Sequence, residues 1–379
     1  MPIRQHVVTY GFSTLATASI ALAVLLHPWR RADERCTQCV AQVAVASSRA
    51  VDVVFAVDTT GSMGGLIEGA KRTVWSIATH IRATDPTAAL RIGLVAYRDV
   101  GDEYVTRDFA LNGDLDAVFA ELSSYRAAGG GDAPESVAAA LDDVLHRMQW
   151  RGNARKLVFL VGDAPPARRG GPTFDALARE AGDKQILINA IRCGDDRATE
   201  QAWRQIAALT GGQFSTIEQD GGVQEVATPY DAELTEISAR IDRGAVIVGG
   251  DSERAAYGRK MAVAAAAPAA ASADRATYYA GEGAAGAVRA QADLVGNVAN
   301  GTMAVASVPA EALPEELRGL SEAALKAEIS RRVEQRKADQ RALNALVRQR
   351  ADYLKSEAAK SGTRGFDDEV NAAIDVQLK

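Results

Sequence analysis

Four runs of apolar, largely β-branched residues constrain this chain more than any other feature: Val51–Val57, Leu90–Tyr97, Lys156–Val161 and Gln185–Ile191. A strand wetted on one side alternates polar and apolar residues. A continuous run is what a strand buried on both faces needs, and such strands belong to parallel sheets covered by helices. Helical patterns separate the runs, at Gly65–Ile81, Glu135–Met148, Phe174–Ala181 and Thr199–Leu209. Strand and helix thus alternate over residues 51–245, which predicts an α/β fold built on a doubly wound, mostly parallel sheet. Ligands of such sheets sit just outside the carboxyl ends of the strands, so the residues that follow each run are where chemistry is to be sought.

The first run ends at Asp58, followed by Thr60 and Ser62 at alternate positions and by glycines at 61, 64 and 65. A carboxylate and two hydroxyls in a tight turn offer hard oxygen ligands, which suit Mg2+, Mn2+ or Ca2+, and the glycines let the backbone close around an ion. Asp-x-Thr-x-Ser after a buried strand resembles the metal-ion-dependent adhesion site of the von Willebrand factor type A family, whose usual form is Asp-x-Ser-x-Ser. Three further segments resemble the family in the right order: Arg91–Asp99 as its second strand, Gly129–Glu135 as its second metal loop, and Leu160–Pro166 as the strand end with the third-loop aspartate.

The resemblance implies a divalent ion, Mg2+ first, ligated directly by Thr60 and Ser62. Asp58 and Asp163 would act mainly through bound water and as balancing charge. Adhesive members of the family supply a threonine from the second loop, where this chain has Asp132. Three carboxylates against an ion of charge two leave less attraction for an incoming acidic side chain, so a closed, water-filled site stands beside the adhesive mode. A plainer reading remains for each residue. Asp58 and Ser62 could cap the helix that follows, Asp132 could cap a helix starting near Pro134, and Asp163 could cap as well.

Enzyme chemistry finds little support. Thr60-Gly61-Ser62-Met63-Gly64 is close to the Gly-x-Ser-x-Gly elbow of hydrolases, but position 60 is threonine and no histidine follows His146 to serve as the late base of that fold. Neither phosphate-binding glycine motif is present. The expectation is a metal-dependent binding protein, not an enzyme, with the alternative of a scaffold whose metal only rigidifies the loops and whose C-terminal helix makes the contacts. A net charge of −6, with arginines scattered along the chain, argues against nucleic acid as a partner. The expected partner is a protein, whose identity the residues do not give.

At the N terminus, Val7–Leu26 carries no charged side chain and is long enough to span a membrane. No small-x-small cleavage site follows promptly, so residues 1–30 read as an uncleaved anchor before a cleaved signal peptide. Arg30, Arg31 and Arg35 would hold the main domain on the cytoplasmic side, whereas Cys36 and Cys39, in the linker 31–50, suit an oxidising compartment and a disulfide. The balance tips to an exported or membrane-anchored protein of a bacterial-type envelope. Beyond the α/β domain, residues 246–315 read as an alanine-rich linker or irregular region, in which Ala262–Ala273 is either linker or a loosely packed helix. Residues 316–379 read as a helical region, in which a long helix over Ser321–Ser361 either self-associates as a coiled coil or packs back on its own chain.

Overall fold

The computed structural model of this 379-residue chain describes residues 49–378 other than 132, 169, 220–225, 281–289 and 359–365. The uncharged run 7–26, the pair Cys36 and Cys39, and Asp132 therefore lie outside the described residues. No helix among the described residues is long and apolar enough to cross a membrane.

Each of the four runs forms a strand, and two further strands complete a six-stranded sheet of order β3-β2-β1-β4-β5-β6. These are β1 (Ala50–Asp58), β2 (Ala89–Tyr97), β3 (Thr106–Asn112), β4 (Arg155–Gly162), β5 (Ile186–Cys193) and β6 (Phe214–Ile217). All neighbours are parallel except β3, which runs antiparallel to β2 along the edge. β1 is buried along its whole length. Strand order reverses between β1 and β4, and the crevice outside their carboxyl ends is where a doubly wound sheet binds ligands.

Helices cover both faces. On one side Val54, Ala56, Val158 and Leu160 meet α3 (Val137–His146), α4 (Phe174–Asp183) and α5 (Arg197–Thr210). On the other, Val53, Phe55, Leu157 and Phe159 meet α1 (Gly64–Thr84), α2 (Leu115–Ser124) and a helix from the far end of the chain, α12 (Phe366–Gln377). The ring of Phe366 lies 6.2 Å from that of Phe55, and Asn189 and Gln377 exchange buried amide hydrogen bonds of 2.9 and 2.8 Å. The sheet's cover is thus supplied in part by residues outside 51–245.

Of the two readings open to the alanine-rich stretch, linker or helix, the described residues take the helical one. After α6 (Asp231–Arg243) come α7 (Asp251–Ala265) and α8 (Ala269–Ala280), with Pro268 in the turn between them. Alanine is the best helix former, and its small side chain lets helices approach closely. Ala273 and Ala276 accordingly sit in a core with Leu234, Ile237 and Ile241 of α6. Trp75 of α1 meets Tyr278 and Tyr279 of α8 at ring distances of 5.6 and 5.9 Å. Arg275 is buried between α2 and α6, bound to Asp116 at 2.6 Å and Asp242 at 2.7 Å.

Two short helices, α9 (Leu294–Ala299) and α10 (Glu315–Arg318), lead to the long α11 (Glu322–Ala358). Of the two arrangements open to α11, it takes the second. Leu325, Ile329 and Val333 pack with Leu294, Val295 and Leu317, and Leu343 packs with α6 and α8. Arg336, which interrupts the apolar stripe, is buried and paired with Asp293. The apolar stripe of α11 is covered by the chain's own helices.

Candidate functional site

Three loops meet at the carboxyl ends of β1 and β4. The first follows β1. Asp58 is fully buried, and its Oδ1 accepts from the backbone N of Thr60 at 2.8 Å and from Thr60 Oγ1 at 2.7 Å. Thr60 Oγ1 in turn lies 3.5 Å from Ser62 Oγ. The capping alternative fails here: α1 has Met63 at its N-cap, with no side-chain cap bond. What Asp58 holds is the turn itself.

The second loop is laid on the first by main-chain bonds, Gly61 N to Gly129 O at 3.2 Å and Ala128 N to Thr59 O at 3.1 Å. Gly130 must be glycine: its φ is +71°, and a Cβ there would stand 2.6 Å from the Cβ of Thr60. Both carboxylate oxygens of Asp102 accept from Gly130 N, at 3.2 and 3.1 Å, which fixes the turn from outside. The loop ends at Glu135, and α3 begins at Val137, with Ser136 at its N-cap, rather than near Pro134.

Glu135 ties the second loop to the third. Its backbone N donates to Pro165 O at 2.9 Å, and its carbonyl accepts from Ala167 N at 2.7 Å. Asp163, at the head of the third loop, is partly exposed and accepts from Gln219 Nε2 at 2.6 Å. It does not cap α4, whose N-cap is Thr173.

Electrostatically, the edge is short of positive charge. Asp58 Oδ2 and Glu135 Oε2 are both buried and accept no hydrogen bond. Burial pushes the Asp58 carboxyl up to about 7, against the hydrogen bonds from Thr60 and with help from the charge of Asp163. Burial likewise raises Glu135 to about 8, reinforced by Asp58, Asp99, Asp102 and Asp163. Two buried carboxyl oxygens without donors are costly to keep. A cation between these loops would relieve both.

Of the residues singled out from the sequence, Asp58, Thr60 and Ser62 are linked by hydrogen bonds, and Asp163 is close enough to act on the charge of Asp58. Asp132 is outside the described residues. Glu135 is the residue that sequence reasoning missed as a donor. It stands before α3, where a glutamate is expected to complement the helix dipole, and its signal was the glycine-rich approach, in which Gly130 lies between Thr60 and the Glu135 carboxyl. Among the described residues, no three His, Cys, Asp or Glu side chains converge as a metal cage. An ion here would have to draw on hydroxyls as well as carboxylates, and the hydroxyls of Thr60 and Ser62 stand beside Asp58.

A buried strand ending in this turn, with two further loops locked to it, agrees with the sequence comparison. The family model for the von Willebrand factor type A domain matches residues 52–228. This segment is a von Willebrand factor type A domain. The chain is similar, at 31% identity over 125 residues, to the alpha-protein kinase vwkA of Dictyostelium discoideum, a match covering 32% of this chain and 20% of that protein. A putative ariadne-like RING finger protein, R811 of Acanthamoeba polyphaga mimivirus, is 29% identical over 130 residues, covering 34% of this chain and 12% of its own length. This chain thus spans a fifth or less of the curated relatives it matches. Among solved structures, the conserved hypothetical protein BatB from Bacteroides thetaiotaomicron aligns at a TM-score of 0.35 and 15% identity, over 44% of this chain and 90% of that one.

Proposed function

We propose that the type A domain is a protein-interaction module that binds one divalent cation, Mg2+ first, at the carboxyl edge of its sheet. The observation that carries this reading is the pair of buried, donor-free oxygens, Asp58 Oδ2 and Glu135 Oε2, on two loops locked together by main-chain bonds. The donor set is oxygen throughout, which selects Mg2+, Mn2+ or Ca2+ over softer ions. Thr60, Ser62 and Glu135 would ligate, with Asp58 holding Thr60 in place and Asp163 adding charge. The ion would supply a fixed positive centre on an acidic edge, to which a partner's oxygen or a bound water can attach.

Calorimetric titration of the chain with Mg2+ and Mn2+ tests the reading. A single site that weakens sharply in Asp58→Ala supports it, and equal binding by both proteins overturns it. The engagement of the apolar stripe of α11 within the chain supports partner contacts at the loop edge. The uncharged run 7–26 would tether the module to a membrane, and resistance of the full chain to carbonate extraction would report it.

A further inference from the structure

Behind the three loops lies Arg98, whose side chain is 4% exposed. Its Nε donates to the carbonyl of Thr59 at 3.1 Å, its Nη2 to the carbonyl of Arg126 at 2.8 Å, and its Nη1 pairs with Glu103 at 3.3 Å. The guanidinium sits 4.2 Å from the ring centre of Tyr104, whose hydroxyl is 2.7 Å from Thr59 Oγ1. The carbonyl of Arg98 accepts from Ser136 N at 3.3 Å. One residue thus holds the position between Asp58 and Thr60, the segment that leads into Gly129 and Gly130, and the position next to Glu135.

We propose that Arg98 is a positioning residue that sets which divalent ion the edge accepts, by fixing the spacing between the Asp58 loop and the Glu135 loop. The inference rests on the cation-binding reading above. Arg98 is not itself a ligand, since it is a cation whose donors face carbonyls and Glu103. Its effect comes from geometry. A guanidinium presents its donors in a rigid plane, and lysine, with one mobile ammonium, cannot hold Thr59 and Arg126 together. Ions differ in how much they depend on such rigidity. Mg2+ demands a near-octahedral shell at about 2.0–2.1 Å, whereas Ca2+ tolerates irregular shells of more ligands at about 2.3–2.6 Å. Loops pinned at one spacing suit Mg2+. Loosened loops forfeit that advantage and keep most of their affinity for Ca2+.

The test titrates the full chain with MgCl2 and with CaCl2 by calorimetry, as the unaltered protein, as Arg98→Lys, and as Arg151→Lys at the opposite end of β1. Arg98→Lys should weaken Mg2+ by about tenfold or more, a loss typical of outer-shell positions, and Ca2+ by less than about threefold. Arg151→Lys should lower the melting temperature and leave the ratio of the two affinities unchanged. Should Arg98→Lys not fold, Tyr104→Phe, which removes the hydroxyl on Thr59, decides by a smaller shift of the ratio in the same direction. An unchanged ratio, including equal weakening of both ions, overturns the inference and leaves the cation reading standing. No binding of either ion by the unaltered chain overturns both.

Discussion

Two aspartates on one strand, Asp52 and Asp58, are both fully buried and meet opposite fates. At the amino end of β1, Asp52 takes two hydrogen bonds from Arg91, at 2.9 and 2.7 Å, and is also bound by the side chain and backbone N of Arg151. Burial alone would raise its pKa, but those bonds outweigh it and hold the carboxyl below the ordinary 3.8. At the carboxyl end, Asp58 has Thr60 on one oxygen and nothing on the other, and rises to about 7. The same residue type on the same strand is a finished joint at one end and an open valence at the other. Buried carboxylates that serve structure are saturated by donors, and the departure from that rule marks the candidate site.

The largest effect should come from the saturated end. Asp52→Asn leaves two guanidinium groups facing an amide that cannot match their donors. Breaking a buried pair costs roughly 3–5 kcal/mol. Because Arg91 and Arg151 are 24% and 28% exposed and can turn to water, the loss should fall near the low end, about 3 kcal/mol. Urea denaturation reads it, and a loss below about 1 kcal/mol would erase the contrast.

At the open end the pattern should invert. Asp58→Asn removes a donor-free buried oxygen, so the ion-free protein should keep its stability or gain about 1 kcal/mol. Its Mg2+ affinity should fall by on the order of 100-fold, the upper end of what outer-shell losses usually give. A variant that loses stability and affinity together would make Asp58 structural, like Asp52.

Opposite pKa shifts also predict opposite pH dependence. For Asp52 the folded state binds fewer protons than the unfolded chain. Its contribution is complete above the ordinary 3.8 and is lost as the pH falls through the lowered folded value. The gap in stability between the unaltered protein and Asp52→Asn should therefore close in acid. For Asp58 the folded, ion-free state binds more protons, so stability should fall as the pH rises from the ordinary 3.8 through about 7. Melting in EDTA across that window should show the decline, and Asp58→Asn should lessen it, leaving the share due to Glu135. The smallest effect belongs to Glu135→Gln. It should raise ion-free stability by about 1 kcal/mol or less and weaken Mg2+ by about tenfold.

The sequence makes the sheet legible where burial leaves a composition signal. β1, β2, β4 and β5 are continuous apolar runs, and each is found where its run lies. β3, Thr106–Asn112, is half-buried and mixed in character, as an edge strand is, and β6 has four residues, so neither gives a period to detect. Asp58, Thr60 and Ser62 are legible because consecutive residues carry them. Glu135 is not, because its role depends on Gly130 lying against Thr60, a contact between distant segments. The alanine-rich stretch stays ambiguous in the sequence for a related reason. Alanine marks a linker and a tightly packed helix alike, and the difference lies with partners such as Leu234 and Ile237. The burial of Arg336 is invisible until Asp293 is placed beside it.

The return of α12 to the sheet has a consequence for how the protein is made. β1 and β4 leave the ribosome early, yet the cover over Phe55 and Phe159 is finished only when Phe366, Val370 and Ile374 emerge. At a synthesis rate of about 5–20 residues per second, that apolar face waits many seconds for its last helix. Through that interval the intervening helical region must fold around an incomplete neighbour. A nascent chain halted between α11 and α12 should therefore be the form most readily captured by a chaperone.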